Sequence, residues 1–160
     1  MPELRTARLA DVDDLMTLRT LMFEAMGTPA AALEAGAWRR AARAWFEARI
    51  VHEGTRILVV EEAGEVVAGG LAEVLSGIPA PSMPHGRFGF ISNVATLPHA
   101  RGRGLARAVM TELVRWLDED TDADRIDLAA TADGAPLYRS LGFDPAAFPT
   151  MRRLAPIPVR

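Results

Sequence analysis

The stretch Asn93-Val94-Ala95-Thr96-Leu97-Pro98-His99-Ala100-Arg101-Gly102-Arg103-Gly104-Leu105-Ala106-Arg107 gathers the residue types needed to hold a phosphorylated ligand. It reads as strand, proline-terminated turn, small-residue loop and helix. The first amides of a helix lack internal acceptors, and the helix dipole adds positive potential at the same end. Gly102 and Gly104 remove side-chain bulk, so those amides can close on an anion such as a pyrophosphate. Arg101, Arg103 and Arg107 add fixed positive charge around that point. Two other phosphate signatures fail. A dinucleotide fingerprint needs a third glycine where Arg107 stands, after the first strand of a βαβ unit. A P-loop needs lysine, and all 18 basic residues of this chain are arginine. Taken by itself, a Gly-Arg-Gly turn also suits an ordinary solvated loop.

Other chemistries are narrowed by composition. The chain has no cysteine, which removes disulfides, thiolate catalysis and Cys-based metal sites. Its three histidines, His52, His85 and His99, are not spaced as paired metal ligands, so no metal is expected. A net charge of −3 argues against a nucleic-acid partner, and the Arg-Gly-Arg-Gly run lacks the interleaved aromatics of such a tract. No basic-then-apolar leader opens the sequence, and apolar runs such as Ile57-Leu58-Val59-Val60 are far too short to span a membrane. The expectation is a cytoplasmic protein with no membrane partner.

Around these residues the 160-residue chain suits a single domain. Leu4 to Arg8 reads as a strand, and Asp11 as the N-cap of a helix whose apolar face carries Val12, Leu15, Leu18, Leu21 and Met22. Gly27 ends that helix and Pro29 opens the next; Ala30 to His52 holds one or two helices bearing Trp38, Trp45 and Ile50. Arg56 to Glu61 and Val66 to Ser76 form a hairpin about Ala63-Gly64-Glu65. Pro79, Pro81 and Pro84 make residues 77–86 a loop. Phe88 to Thr96 is a strand, Leu105 to Leu117 a helix with Leu105, Val109, Leu113 and Trp116 in one stripe, and Arg125 to Thr131 a strand. Ala135 to Leu141 is a helix closed by Gly142, and Phe143 to Leu154 adds a last strand.

Arg101-x-x-Gly104-x-Ala106, with the preceding Thr96-x-Pro98 turn, resembles the Arg/Gln-x-x-Gly-x-Gly/Ala cofactor motif of the GNAT N-acetyltransferases. A separate segment, Ala135-Pro136-Leu137-Tyr138-Arg139-Ser140-Leu141-Gly142-Phe143, resembles that family's C-terminal LYxxLGF motif. One helix and one strand lie between the two, as in the family, and the element order agrees over nearly the whole chain. The resemblance implies an α/β (α+β) fold over 1–160 with a mixed, mostly antiparallel central sheet flanked by helices, its central strands splayed. It implies a bulge in the strand ending at Thr96, with Val94, Ala95 and Thr96 offering backbone groups to the pantetheine arm and acetyl carbonyl. Gly102, Arg103, Gly104, Leu105, Ala106 and Arg107 would cradle the pyrophosphate of acetyl-CoA. Tyr138, the only tyrosine, would protonate the departing thiolate; a phenol of pKa about 10 keeps its proton at neutral pH. Many relatives carry Asn seven positions before that tyrosine, where Thr131 stands here.

The residues leave the general base open. Glu73, His85 and a water oriented by Ser92 or Asn93 are candidates, each equally at home as a solvated or structural group. In the family the segment of Trp38, Trp45 and Phe46 borders the acceptor, although a tryptophan stripe also suits core packing. Arg39, Arg40, Arg43 and Arg49 read as a solvated face, with an acidic acceptor as the sharper alternative. The resemblance implies an enzyme that moves an acetyl group from acetyl-CoA to a primary amine of a small molecule or peptide, by direct attack in a ternary complex. A non-catalytic acyl-CoA sensor on the same scaffold is the alternative, and a homodimer is open to either.

Overall fold

Val59, Val60, Val67 and Ala68 are at most 2% exposed, because the two strands that carry them have helices on both faces. The computed structural model describes residues 1–156. The last four residues of the expected 1–160 domain lie outside the described residues. Two compact units are present, Met1–Ala129 and Ala130–Arg160.

The first unit holds β1 (Glu3–Thr6), α1 (Val12–Ala25), α2 (Ala30–Glu34), α3 (Gly36–Arg49), β2 (Thr55–Glu62), β3 (Glu65–Ser76), β4 (Arg87–Thr96), α4 (Leu105–Asp120) and β5 (Ile126–Leu128). The sheet order is β1-β2-β3-β4-β5. Its first three pairings are antiparallel and β4–β5 is parallel, so the expected mixed, mostly antiparallel sheet is present. Ala63 (φ 51°) and Gly64 (φ 83°) make the two-residue turn between β2 and β3, a left-handed pair that matches the twist of the strands it joins.

Each face of the sheet takes one helical layer. A Cβ added at Gly69 would meet Leu18 of α1, whereas one added at the next residue, Gly70, would meet Val109 and Leu113 of α4. Successive strand residues face opposite ways, so α1 and α4 lie on opposite faces. On the α1 face, Val12, Leu15, Met16 and Leu18 join Phe46, Ile57, Val59 and Leu71 in a buried cluster, with Trp38 and Trp45 packed against it. On the α4 face, Val109, Met110, Leu113 and Leu117 are fully buried. Each such side chain contributes about 1.5–3 kcal/mol through burial.

Some expectations are corrected. Asp11 stands at the start of α1 but caps no helix amide. Its buried carboxylate instead accepts the Arg8 N–H at 2.6 Å and the Arg5 guanidinium at 2.7 and 2.8 Å. Arg5 also binds Glu61 of β2. The hydrogen bonds from Arg5 hold the Asp11 carboxyl below its ordinary range, and the network ties β1, β2 and the entry to α1 together. β5 ends at Leu128 rather than Thr131; the alanines that follow have little β propensity. In the second unit α5 (Ala135–Ser140) forms as expected, and Gly142 (φ 91°) donates back to Arg139 O at 3.0 Å. The expected strand from Phe143 to Leu154 is absent among the described residues. Pro145 and Pro149 interrupt it, each lacking the N–H that a ladder requires.

Gly89 of β4 lets α4 seat close to the sheet: a Cβ there would lie 2.6 Å from Cδ1 of Leu117, which is 0% exposed. The Gly89→Ala variant should lose about 1–3 kcal/mol of stability through overpacking. Thermal unfolding checks this; an unchanged Tm would mean that the Leu117 seat is soft.

Candidate active site

Two residues of β4, Asn93 and Val94, fit between the pairs Gly69↔Ala95 and Leu71↔Ser92, where β3 supplies only Gly70. This is a β-bulge, as expected for the strand ending at Thr96. Asn93 takes up the extra length in the left-handed region, φ 55°, which asparagine tolerates better than most residues. On the other side of β4, β5 pairs only with Gly89, Phe90 and Ile91. Among the described residues Ser92 to Thr96 therefore has no strand partner on that edge, and every residue from Ser92 to Leu97 is partly exposed. The β5 side of β4 is thus uncovered by strand beyond Ile91, and its backbone groups there face no ladder partner among the described residues.

Past Thr96 the chain turns through Pro98–Ala100 into the glycine-rich loop. Gly102 (φ 73°) and Gly104 (φ 78°) are both left-handed, and Gly104 is the N-cap of α4. Within the first turn of α4 the Ala108 amide donates to Gly104 O at 3.0 Å. The amides of Gly102, Arg103, Gly104, Leu105 and Ala106 donate to no acceptor among the described residues. A Cβ built at Gly102 or Gly104 would meet nothing within 4 Å, so glycine serves the backbone conformation here while the space beside it stays open. Unpartnered amides at a helix start, beside open space, suit a phosphate or pyrophosphate.

The arginines of the loop are partly committed. Arg103 makes a two-point pair with Glu62 at the end of β2, both contacts at 2.7 Å, which depresses the Glu62 carboxyl below its ordinary range. Arg101 folds back so that its Nε donates to Thr96 O at 3.2 Å. This bond occupies a carbonyl expected to be offered to a ligand and leaves the groups of Val94 and Ala95. Val94 turns toward α4 and Ala95 packs on the α1 side, Leu105 is buried, and Ala106 and Arg107 continue the first turn of α4.

On the α1 face the bulge meets a residue that the sequence motifs did not single out. Arg19 Nη1 donates to Asn93 Oδ1 at 2.5 Å, across 74 residues. Its guanidinium lies 4.8 Å from the centre of the Phe23 ring. Asn93 in turn donates to Ser92 Oγ at 3.2 Å, so both ends of its amide are engaged. The signal was present in the helix periodicity: Arg19 lies three and four residues after Met16 and Leu15, inside the apolar stripe.

The candidate bases separate. Glu73 of β3 stands opposite Phe90, and strand alternation puts it on the face of Leu71 and Ser92. Its carboxylate makes no ion pair or hydrogen bond among the described residues. His85 is displaced from this region: it precedes β4, at the end opposite the bulge. Its ring Nδ1 lies 2.6 Å from Asp124 Oδ1, and its N–H donates to Oδ2 at 2.9 Å. That partner raises the His85 pKa above its ordinary value, the reverse of what a resting base requires. Its work is to fasten the proline loop to the approach to β5. Among the other helix arginines, Arg43 pairs with Asp13, while Arg39 and Arg49 lie over Trp38 and Trp45. Arg40 is exposed, as expected of a solvated face.

In the second unit Tyr138 is half-buried, its ring 6.4 Å from that of Phe143. Burial pushes its phenol pKa up, so the hydroxyl keeps its proton through the neutral range. Thr131 accepts the Gly134 N–H at 3.2 Å on Oγ1, which leaves its O–H to donate. Thr131 stands just before a turn and not in a strand.

The model of the acetyltransferase (GNAT) family matches residues 14–143. The chain belongs to the GNAT acetyltransferase family. A GCN5-related N-acetyltransferase from Ralstonia eutropha JMP134 superposes with TM-score 0.81 at 27% identity, covering 96% of this chain and 99% of that one. A predicted acetyltransferase from Clostridium acetobutylicum, solved with acetyl-CoA, shares the fold with TM-score 0.85 at 22% identity and 96% coverage of both chains. Glucosamine-6-phosphate N-acetyltransferase from Arabidopsis thaliana shares it at TM-score 0.72 and 16% identity, over 97% of this chain and 99% of that one. Among curated protein sequences none matches this chain. The GNAT match takes in both motifs and the bulged strand between β3 and the glycine-rich loop. Among the described residues, no helix is long and apolar enough to cross a membrane.

The His85–Asp124 pair gives this GNAT chain a pH-dependent fastening. Because the histidine pKa is raised by folding, its contribution is complete below about pH 6.5 and is lost as pH climbs through the raised value. The Tm difference between the wild type and His85→Ala should therefore shrink from about pH 6 to about pH 9. A difference that stays constant across that range, followed calorimetrically, would remove the charged pair.

Proposed function

We propose that this protein is an N-acetyltransferase that transfers the acetyl group of acetyl-CoA to a primary amine. The observation that carries it is the run of unpartnered amides from Gly102 to Ala106, set one turn beyond a bulged, open-edged strand. The first feature suits a pyrophosphate and the second an extended amide-bearing arm, and acetyl-CoA carries both. The GNAT match over 14–143 draws on both compact units, which supports treating 1–160 as one functional domain.

In this reading Gly102 to Arg107 hold the pyrophosphate, while Val94 and Ala95 offer backbone groups to the arm and to the thioester carbonyl. Acetyl-CoA supplies an activated acyl group. Amides aimed at its carbonyl oxygen stabilise the charge that develops there as the amine attacks. Glu73, unpaired and on the face of Ser92, is the base that takes the proton from the incoming ammonium, directly or through water. Tyr138 is the acid for the departing sulfur. Burial raises a phenol, and a thiolate held in equally dry surroundings is raised with it, so the proton transfer keeps its driving force. Thr131 donates its hydroxyl to the arm, in place of the amide common at that position in the family. With no cysteine in the chain, the acetyl group passes directly to the amine.

Isothermal titration with coenzyme A, together with thiol release from acetyl-CoA across an amine panel, tests this function. Gly104→Val should weaken coenzyme A binding at least about tenfold, since a branched residue is strained at φ 78° and fills the open space. Tyr138→Phe should lower kcat at least about tenfold and leave coenzyme A affinity unchanged. No heat of binding would refute the cofactor; binding without thiol release would leave a sensor on this fold.

A further inference from the structure

Arg19 is a half-buried cation without a counter-ion. Burial lowers its pKa, and no carboxylate lies within ion-pair distance of it among the described residues. The contrast with Arg5 is instructive: that guanidinium, 12% exposed, is flanked by both Asp11 and Glu61. Arg19 has only neutral company, the Asn93 amide oxygen on Nη1 and the Phe23 ring. Its Nε is buried with no hydrogen-bond partner. Nη2 likewise makes no hydrogen bond, yet it is not closed off from solvent. The Nε–Nη2 edge, the two-pronged side of a guanidinium, is therefore unused. Buried polar groups are overwhelmingly paired, and an unpaired buried charge is costly. Such a group persists where something else completes it.

We propose that the amine acceptor also carries an oxyanion, and that Arg19 is the residue that seats it through its open Nη2. The inference rests on the acetyl-transfer reading and adds the acceptor's chemical class. Arg19 touches Asn93, the residue that forms the bulge, so an anion on its Nη2 places a nearby amine beside the open backbone of Val94 and Ala95. Phe23 and Trp38, edge to face at 5.8 Å, wall the same side with apolar surface, which strengthens a charge-assisted pair by excluding water. Arg39 adds a second cation on that wall: it bonds Thr20 Oγ1 at 3.2 Å and no carboxylate among the described residues. Glu73, on the same sheet face, favours the ammonium end of such an acceptor.

The test compares matched pairs of amines in the acetyl-CoA thiol-release assay: glycine against glycinamide, and O-phosphoethanolamine against ethanolamine. Wild-type protein should prefer the anionic member of at least one pair by about tenfold or more in kcat/KM, mainly through KM. The pair with the larger ratio tells carboxylate from phosphate. In Arg19→Gln that ratio should collapse toward one, and Arg19→Lys should restore part of it through charge alone. A wild-type ratio near one in both pairs overturns the proposal. So does an Arg19→Gln protein that loses both members of a pair equally, because Arg19 would then merely brace the bulge. Coenzyme A titration of the same samples separates the two levels. Failure to bind coenzyme A defeats the transferase reading, whereas binding and turnover without anion preference defeat only this one.

Discussion

The ladder between β3 and β4 has to lose its register once, at Asn93 and Val94, for the rest of the molecule to make sense. An unbroken β4 would commit the backbone of Asn93 and Val94 to the ladder with β3. The bulge breaks that regularity at the point where β5 has already stopped following β4. The irregularity is held from outside by the Arg19–Asn93 hydrogen bond and from within by the left-handed φ of Asn93. Strain of this sort is retained where surrounding structure over-determines it. Here that surrounding structure is α1 on one face and α4 on the other.

The position of α4 follows from the same strand. Gly89 admits Leu117, and Gly70 admits Val109 and Leu113, so the helix is keyed to β3 and β4 along its length. Its N-terminus and the loop leading into it, whose amides from Gly102 to Ala106 donate to no acceptor among the described residues, are thereby held at a set distance from the bulge. One strand thus organises both halves of the site, the extended arm and the anion cradle.

Much of this was legible in the residues. The apolar stripes of α1 and α4, the hairpin at Ala63-Gly64 and the glycine-rich helix start all follow from local rules of periodicity and turn chemistry, and the structure agrees. What local rules missed involved partners distant in sequence. Asp11 has the composition of an N-cap, yet a buried Arg5 from the neighbouring strand captures its carboxylate. Arg19 looks like a blemish in an apolar stripe until Asn93, 74 residues away, is placed beside it. The tail after Phe143 carries apolar residues at strand-like density, but Pro145 and Pro149 deprive it of ladder donors. His85 lies in a loop near β4 in sequence, and only the direction of the strand shows that it belongs to the end away from the bulge.

Glu62 and Arg103 hold each other at the mouth of the glycine-rich loop, and the carboxyl is acidified by that embrace. Any polyanion that draws Arg103 away would leave Glu62 with a weaker hold on its negative charge and a stronger affinity for hydrogen ions. Occupation of the loop would then be thermodynamically linked to proton uptake in weakly acidic solution. The ion pair would act as a small buffer between ligand charge and the acidity of the medium.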